Sequence, residues 1–308
     1  MKARISHKIA ILRDRLYLED LRRKAFHLPA IVFLFTTLAL MQCYHIYKHT
    51  NVWSRMPEAG GNAFHFCEAN RMDEAIRQPS NTWSNLGYLA VALFAMTLAV
   101  HDYKNKSHRQ SDNFLVRYPL FSVMFALSCF YLFIGSFLYH ASLTAYFQKL
   151  DQTGLYSVIA MILVLNLYKI FPYFSHRGSK RDSHKWAKVL VIVLNIAFFN
   201  WLWRININAL VPGLLLMIII TGMYYTMAIN RTTYFTKYMY AAFLIMFAAG
   251  SVWILDRERV VCHPDSILQG HAIWHILTAI SIFFIYLYYR SGTPDMDISD
   301  VEVVEISK

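Results

Sequence analysis

The chain has 308 residues, of which 56% are apolar or aromatic and only 16% are charged. Soluble domains average about 25% charged residues, so this composition excludes a disordered chain and leaves too little polar surface for an ordinary water-soluble globule. Eleven Gly with eight Pro exclude a collagen-like or linker-rich chain, and four Cys exclude a disulfide-dense scaffold. The formal net charge of +11 fits either a nucleic-acid partner or basic loops at a membrane until the charges are placed.

In chain order, a basic segment over residues 1–27 with eight Lys/Arg precedes the first of eight stretches long enough to cross a bilayer, a length of about 20 mostly apolar residues. The stretches run over 28–47, 84–101, 118–140, 151–171, 187–203, 207–229, 236–256 and 269–289. Between the fifth and sixth only Arg204, Asn206 and Asn208 interrupt the apolar run. A turn is required there, because one helix would exceed the bilayer and Pro212 with Gly213 falls inside it. The first stretch follows a long basic region and has no small-residue cleavage pattern after it, which favours an uncleaved anchor over a removed signal peptide.

With the N-terminus on the inner side, 22 of the 30 Lys/Arg lie inside and 8 outside, so both termini are expected in the cytoplasm. Because basic residues sort by membrane side and do not cluster with aromatics, nucleic acid is not an expected partner. The last segment, 291–308, carries an acidic run and reads as a solvated tail.

Ionisable side chains within a span are costly and mark candidate sites. Among the acids, Asp151 begins an otherwise apolar stretch. Three histidines lie within or at the edge of stretches at outer depth: His140, His271 and His275. His271 and His275 are four residues apart, so they share a helix face as two ligands of one metal would. Ser136 stands one turn before His140. Eight spans put the end of the third and the starts of the fourth and eighth on the outer side. Three imidazoles with an open position are the ligand set of a catalytic zinc site, and a carboxylate is the usual partner for its water. The bland alternative is interfacial histidines bonded to headgroups or backbone.

These residues resemble the alkaline ceramidase family, within the membrane hydrolases often called the CREST superfamily. The resemblance is carried by HFCEAN at 65–70, QPSNTWSNLGY at 78–88, GSFLYHASLTAYFQKLD at 135–151 and HAIWH at 271–275. It implies an all-α integral membrane protein: a seven-transmembrane-helix bundle over 48–290, preceded by an outer loop, with 28–47 as one extra N-terminal transmembrane helix. It also implies zinc held by His140, His271 and His275. Asp151 matches the acid that contacts the metal-bound water, and Ser136 matches the active-site serine, as oxyanion donor or, alternatively, nucleophile.

Some family members also bind calcium in the loop before the first core helix. Glu68 and Asn70 align with two of the calcium ligands, but His65 stands for an Asp, Phe66 for a Trp and Gln78 for a Glu. Calcium prefers about six to eight oxygens, so the missing carboxylates predict weak or absent binding, with Glu68 and Asn70 left to cap or brace the loop. In the following segment Ser80 or Asn81 is expected to cap a helix and Trp83 to anchor at the interface. Cys67 and Cys262 both fall in predicted outer loops. An oxidising compartment permits a bridge between them, and some family members have one involving the cysteine of the matching segment; the alternative is two free thiols.

The function expected from the resemblance is zinc-dependent hydrolysis of the amide of a ceramide-type lipid drawn from the bilayer, giving a sphingoid base and a fatty acid. Hydrolysis of a lipid ester or phospholipid by the same superfamily is the nearest alternative. A seven-helix receptor or sensor with a zinc site is another, and a His/Asp proton relay in a transporter is weaker because no inverted repeat is evident.

Overall fold

The computed structural model describes residues 23–60, 66–105, 108, 111, 113–174, 180–205, 207–224, 232–233 and 236–294. Both terminal segments read from the sequence, apart from residues 23–27 and 291–294, fall outside these, as does His65. The long helices among the described residues are α1 His27–Tyr47, α2 Pro79–Lys104, α3 Leu120–Ser142, α4 Ala145–Phe174, α5 Lys180–Asn200, α6 Ile207–Tyr224, α7 Thr236–Arg257 and α8 Gly270–Arg290. Six of them, α1 to α4, α7 and α8, are long and apolar enough to cross a membrane, which makes the chain a multi-pass membrane protein. The remaining two hold shorter apolar stretches, Trp186–Asn200 and Gly213–Gly222.

The core lies between α2, α3, α4 and α8. Leu98, Phe121, Phe125, Met161, Val164 and Leu165 are fully buried there, with Tyr286 of α8 beside them. Polar threads cross this core: Tyr286 donates to Ser122 at 2.9 Å and Tyr289 to Asn166 at 2.6 Å. In α1 no residue is buried. It leans on α2 through Phe26 stacked on Phe94 and Tyr44 edge-on to Trp83, as expected of a helix whose remaining faces meet lipid.

The α3–α4 hairpin is the tightest part of the bundle. Leu143 adopts the left-handed conformation at φ 48° and returns its N–H to Tyr139 O, ending α3. Residues of the first loop pin this turn, with Ala59 N–H on Leu143 O and Ala145 N–H on Pro57 O at 2.9 and 3.0 Å. Two glycines bring the helix backbones together: a Cβ on Gly135 would lie 2.5 Å from Leu150 O, and one on Gly154 2.8 Å from Leu132 Cα. Ser136 and Asp151, one residue beyond these contacts, are therefore held face to face.

The hairpin corrects one reading of the sequence. Asp151 does not open its helix; α4 begins at Ala145, so Asp151 sits well inside it. Lys149 and Asp151 look like the boundary before an apolar run, but the helical backbone already runs through them from Ala145, anchored by the pinned turn.

Candidate active site

His140 lies in the last turn of α3, and His271 and His275 in the first turns of α8. One ring nitrogen from each lies within 4.8 Å of the others, and all three residues are buried. The Nε2 atoms of His140 and His271 are 3.2 Å apart. Asp151 lies outside this set but lines the same cavity as His271 and His275, where the Ser136 hydroxyl donates to its carboxylate. The cavity measures about 510 Å³ and is walled largely by Leu132, Leu155, Val211, Trp253 and Trp274, with Tyr88 at the histidine end.

Neighbours decide which histidine nitrogen faces inward. His275 Nδ1 meets the Asn81 carbonyl at 3.1 Å and the Ser84 hydroxyl at 2.8 Å. A carbonyl only accepts, so Nδ1 carries the proton and Nε2 presents its lone pair. His140 Nδ1 donates to Gln78 Oε1 at 2.7 Å, again leaving Nε2 for the cluster. His271 Nδ1 is buried without a hydrogen-bond partner among the described residues. The Phe66 ring covers that imidazole, with centroids 3.7 Å apart. Three neutral imidazoles, two of them oriented by acceptors behind the ring, are a donor set that fits a metal ion.

In the first loop Glu68 and Asn70 brace the chain, and the cap of the following helix comes from Glu68. Glu68 accepts the backbone N–H groups of Ser80 at 2.7 Å and Asn81 at 2.8 Å. It caps α2 from outside the helix, whose N-cap position is Gln78 and not Ser80 or Asn81. Burial pushes the Glu68 carboxyl above the usual range, opposed by those N–H groups and by Arg71. Asn70 Oδ1 accepts from Gln78 Nε2 at 2.6 Å. Trp83 is half-buried between Tyr44 and Phe137, packed edge-on against both rings.

Cys67 and Cys262 form a disulfide, while Cys43 and Cys129 are free. Beside the bridge, Ala69 N–H reaches Pro264 O at 2.9 Å and Cys67 N–H reaches Asp256 Oδ2 at 3.2 Å. Sequence reasoning passed over Asp256, a buried acid at the end of α7. Its signal is of the kind that exposed Asp151, an acid at the edge of an apolar run. Gly270 packs directly on it, since a Cβ there would lie 2.7 Å from Asp256 Cβ.

At the opposite end of α8 a second group, His101, Asp102 and His108, also places ligand-type atoms within 4.8 Å. Arg290 takes both Asp102 oxygens, at 2.6 and 2.8 Å. A cation added there would face a buried guanidinium, so this group is a clamp between α2 and α8.

No curated protein matches this chain. The family model described as ceramidase matches residues 61–298, which begins after α1 and takes in the three histidines, Ser136 and Asp151. With well over half its length matched, and with apolar helices long enough to cross a membrane, the chain belongs to the ceramidase family and is a ceramidase-like membrane hydrolase.

Proposed function

We propose that this protein is a zinc-dependent lipid amidohydrolase that cleaves the amide of ceramide-type lipids to a sphingoid base and a fatty acid. The observation that carries the reading is one cavity lined by His271 and His275, two members of a buried three-histidine cluster, together with the hydrogen-bonded Ser136–Asp151 pair. His140, His271 and His275 would hold the metal. Zinc bound there supplies a Lewis acid and a water acidic enough to be deprotonated near neutral pH.

The chain's own groups do the rest. Asp151 takes a proton from the attacking water and returns it to the departing amine nitrogen. The Ser136 hydroxyl orients Asp151 at rest and donates to the oxyanion as the carbonyl becomes tetrahedral. The apolar walls receive an acyl chain and exclude water, which strengthens both hydrogen bonds. We further place α5 and α6 across the membrane, giving a seven-helix unit of α2 to α8 with α1 added. The excess of Lys/Arg in alternate loops supports N- and C-termini in the cytoplasm and the site towards the periplasm or lumen.

Purified protein assayed on a ceramide and on a matched lipid ester tests this reading. Hydrolysis of the amide, lost with a zinc chelator and restored by zinc, is the expected result. Faster cleavage of the ester would move the assignment to a lipid esterase. Bound zinc without turnover of either would favour a receptor or sensor.

A further inference from the structure

Gln78 is 0% exposed and joins three elements. Its Oε1 accepts from His140 Nδ1 at 2.7 Å and from Asn81 Nδ2 at 3.3 Å, while its Nε2 donates to Asn70 Oδ1 at 2.6 Å. These contacts fix the amide's direction: both groups facing the oxygen are donors, and the group facing the nitrogen is an acceptor. The chain on either side is held too. Gln78 N–H donates to His140 O at 3.1 Å, and Arg77 N–H to Ala141 O at 3.0 Å.

The same contacts bear on calcium. The oxygens that the sequence resemblance assigns to it are already engaged, Glu68 by two backbone N–H groups and Asn70 by the Gln78 amide. The Arg71 guanidinium stands 3.7 Å from Glu68, adding a like charge. A calcium ion needs oxygens at about 2.3 to 2.6 Å. Here it would meet the Gln78 N–H hydrogens instead of a carboxylate, so the residues present do not fit that ion.

We propose that Gln78 is a positioning residue that ties the first loop to His140 through a neutral amide, making metal retention depend on that amide and not on calcium. The proposal rests on the reading of His140 as a zinc ligand. An acceptor behind a ligating imidazole fixes its tautomer and ring angle, and losing such a partner typically costs about 10- to 100-fold in metal affinity. Gln78→Leu removes the acceptor and leaves a buried N–H unpaired. Gln78→Glu keeps an acceptor for His140 and loses only the donation to Asn70.

The test is zinc retention by the full chain in detergent, read by competition with a chromogenic chelator and so independent of turnover. Wild type should hold one zinc equally well in millimolar calcium and in a calcium chelator. Gln78→Leu should lose about 10- to 100-fold in affinity, and Gln78→Glu should stay within a few-fold of wild type. Asn70→Ala, which frees the far end of the amide, should show a smaller loss and serves if the leucine variant does not fold. Unchanged retention in Gln78→Leu or, where that variant does not fold, in Asn70→Ala, or calcium-dependent retention in wild type, overturns the proposal alone. Wild type that takes up no zinc removes the zinc reading and the proposal together.

Discussion

Asp151 and Ser136 face each other across the α3–α4 hairpin, and their roles separate by what each substitution removes. Asp151→Asn keeps the shape and the contact with Ser136 but removes the proton acceptor, so turnover should fall by about 10²- to 10⁴-fold with zinc content unchanged. Ser136→Ala should cost about 10²- to 10³-fold in kcat if the hydroxyl stabilises the oxyanion. Complete loss, together with a mass-detected acyl adduct on the wild-type serine, would make it a nucleophile. These residues were legible in the sequence because a histidine pair on one helix face and an acid in an apolar run are local anomalies. Gln78 was legible only as a lost carboxylate. Its partner His140 is 62 positions away, and the Cys67–Asp256 contact spans 189, so no periodicity or spacing could reveal either role.

Among the elements, the α3–α4 hairpin sets the precision of the site. Gly135→Ala would press a methyl against the Leu150 carbonyl and the Asp151 nitrogen, both backbone atoms that cannot rotate away. The helices must separate, so stability should fall by about 1 to 3 kcal/mol. Turnover should drop more than substrate binding, because Ser136 and Asp151 move apart. Gly250→Ala is the control: nothing lies within 4 Å of a Cβ there, and replacing a mid-helix glycine should be neutral or stabilising by up to about 1 kcal/mol. Thermal unfolding of both variants, with steady-state kinetics, checks the contrast. Hydropathy located these helices but misjudged the start of α4. A transfer scale penalises Lys149 and Asp151, whereas the fold sets the half-buried Asp151 beside a hydroxyl and rests Lys149 on the Phe199 ring at 3.9 Å. Equally, α5 opens on a charged turn that composition alone cannot place relative to a membrane.

At the scale of the whole molecule, a chain with so few charges places several of them inside and leaves each engaged. Glu68 caps α2, Asp151 meets Ser136, Asp256 holds Cys67, and Asp102 is gripped by Arg290. The first three gather at the end of the bundle that bears the histidines. The last lies at the far end of α8, where Asn113 also donates to the carbonyls of Tyr289, Arg290 and Gly292 at 2.8 to 3.0 Å. Function and anchoring are thus divided between the two ends of one helix, and a substitution can separate them. Asp102→Ala removes the carboxylate that neutralises a fully buried guanidinium, and breaking such a pair from one side costs about 3 to 5 kcal/mol. The double variant Asp102→Leu with Arg290→Met removes both charges and should recover most of that loss. Zinc retention measured well below the unfolding temperature should match wild type in every variant that folds, because the clamp lies at the far end of α8 from His271 and His275. A double variant no more stable than Asp102→Ala would show that the ion pair stabilises the fold in its own right, and altered zinc retention in a folded variant would show that the clamp also shapes the site.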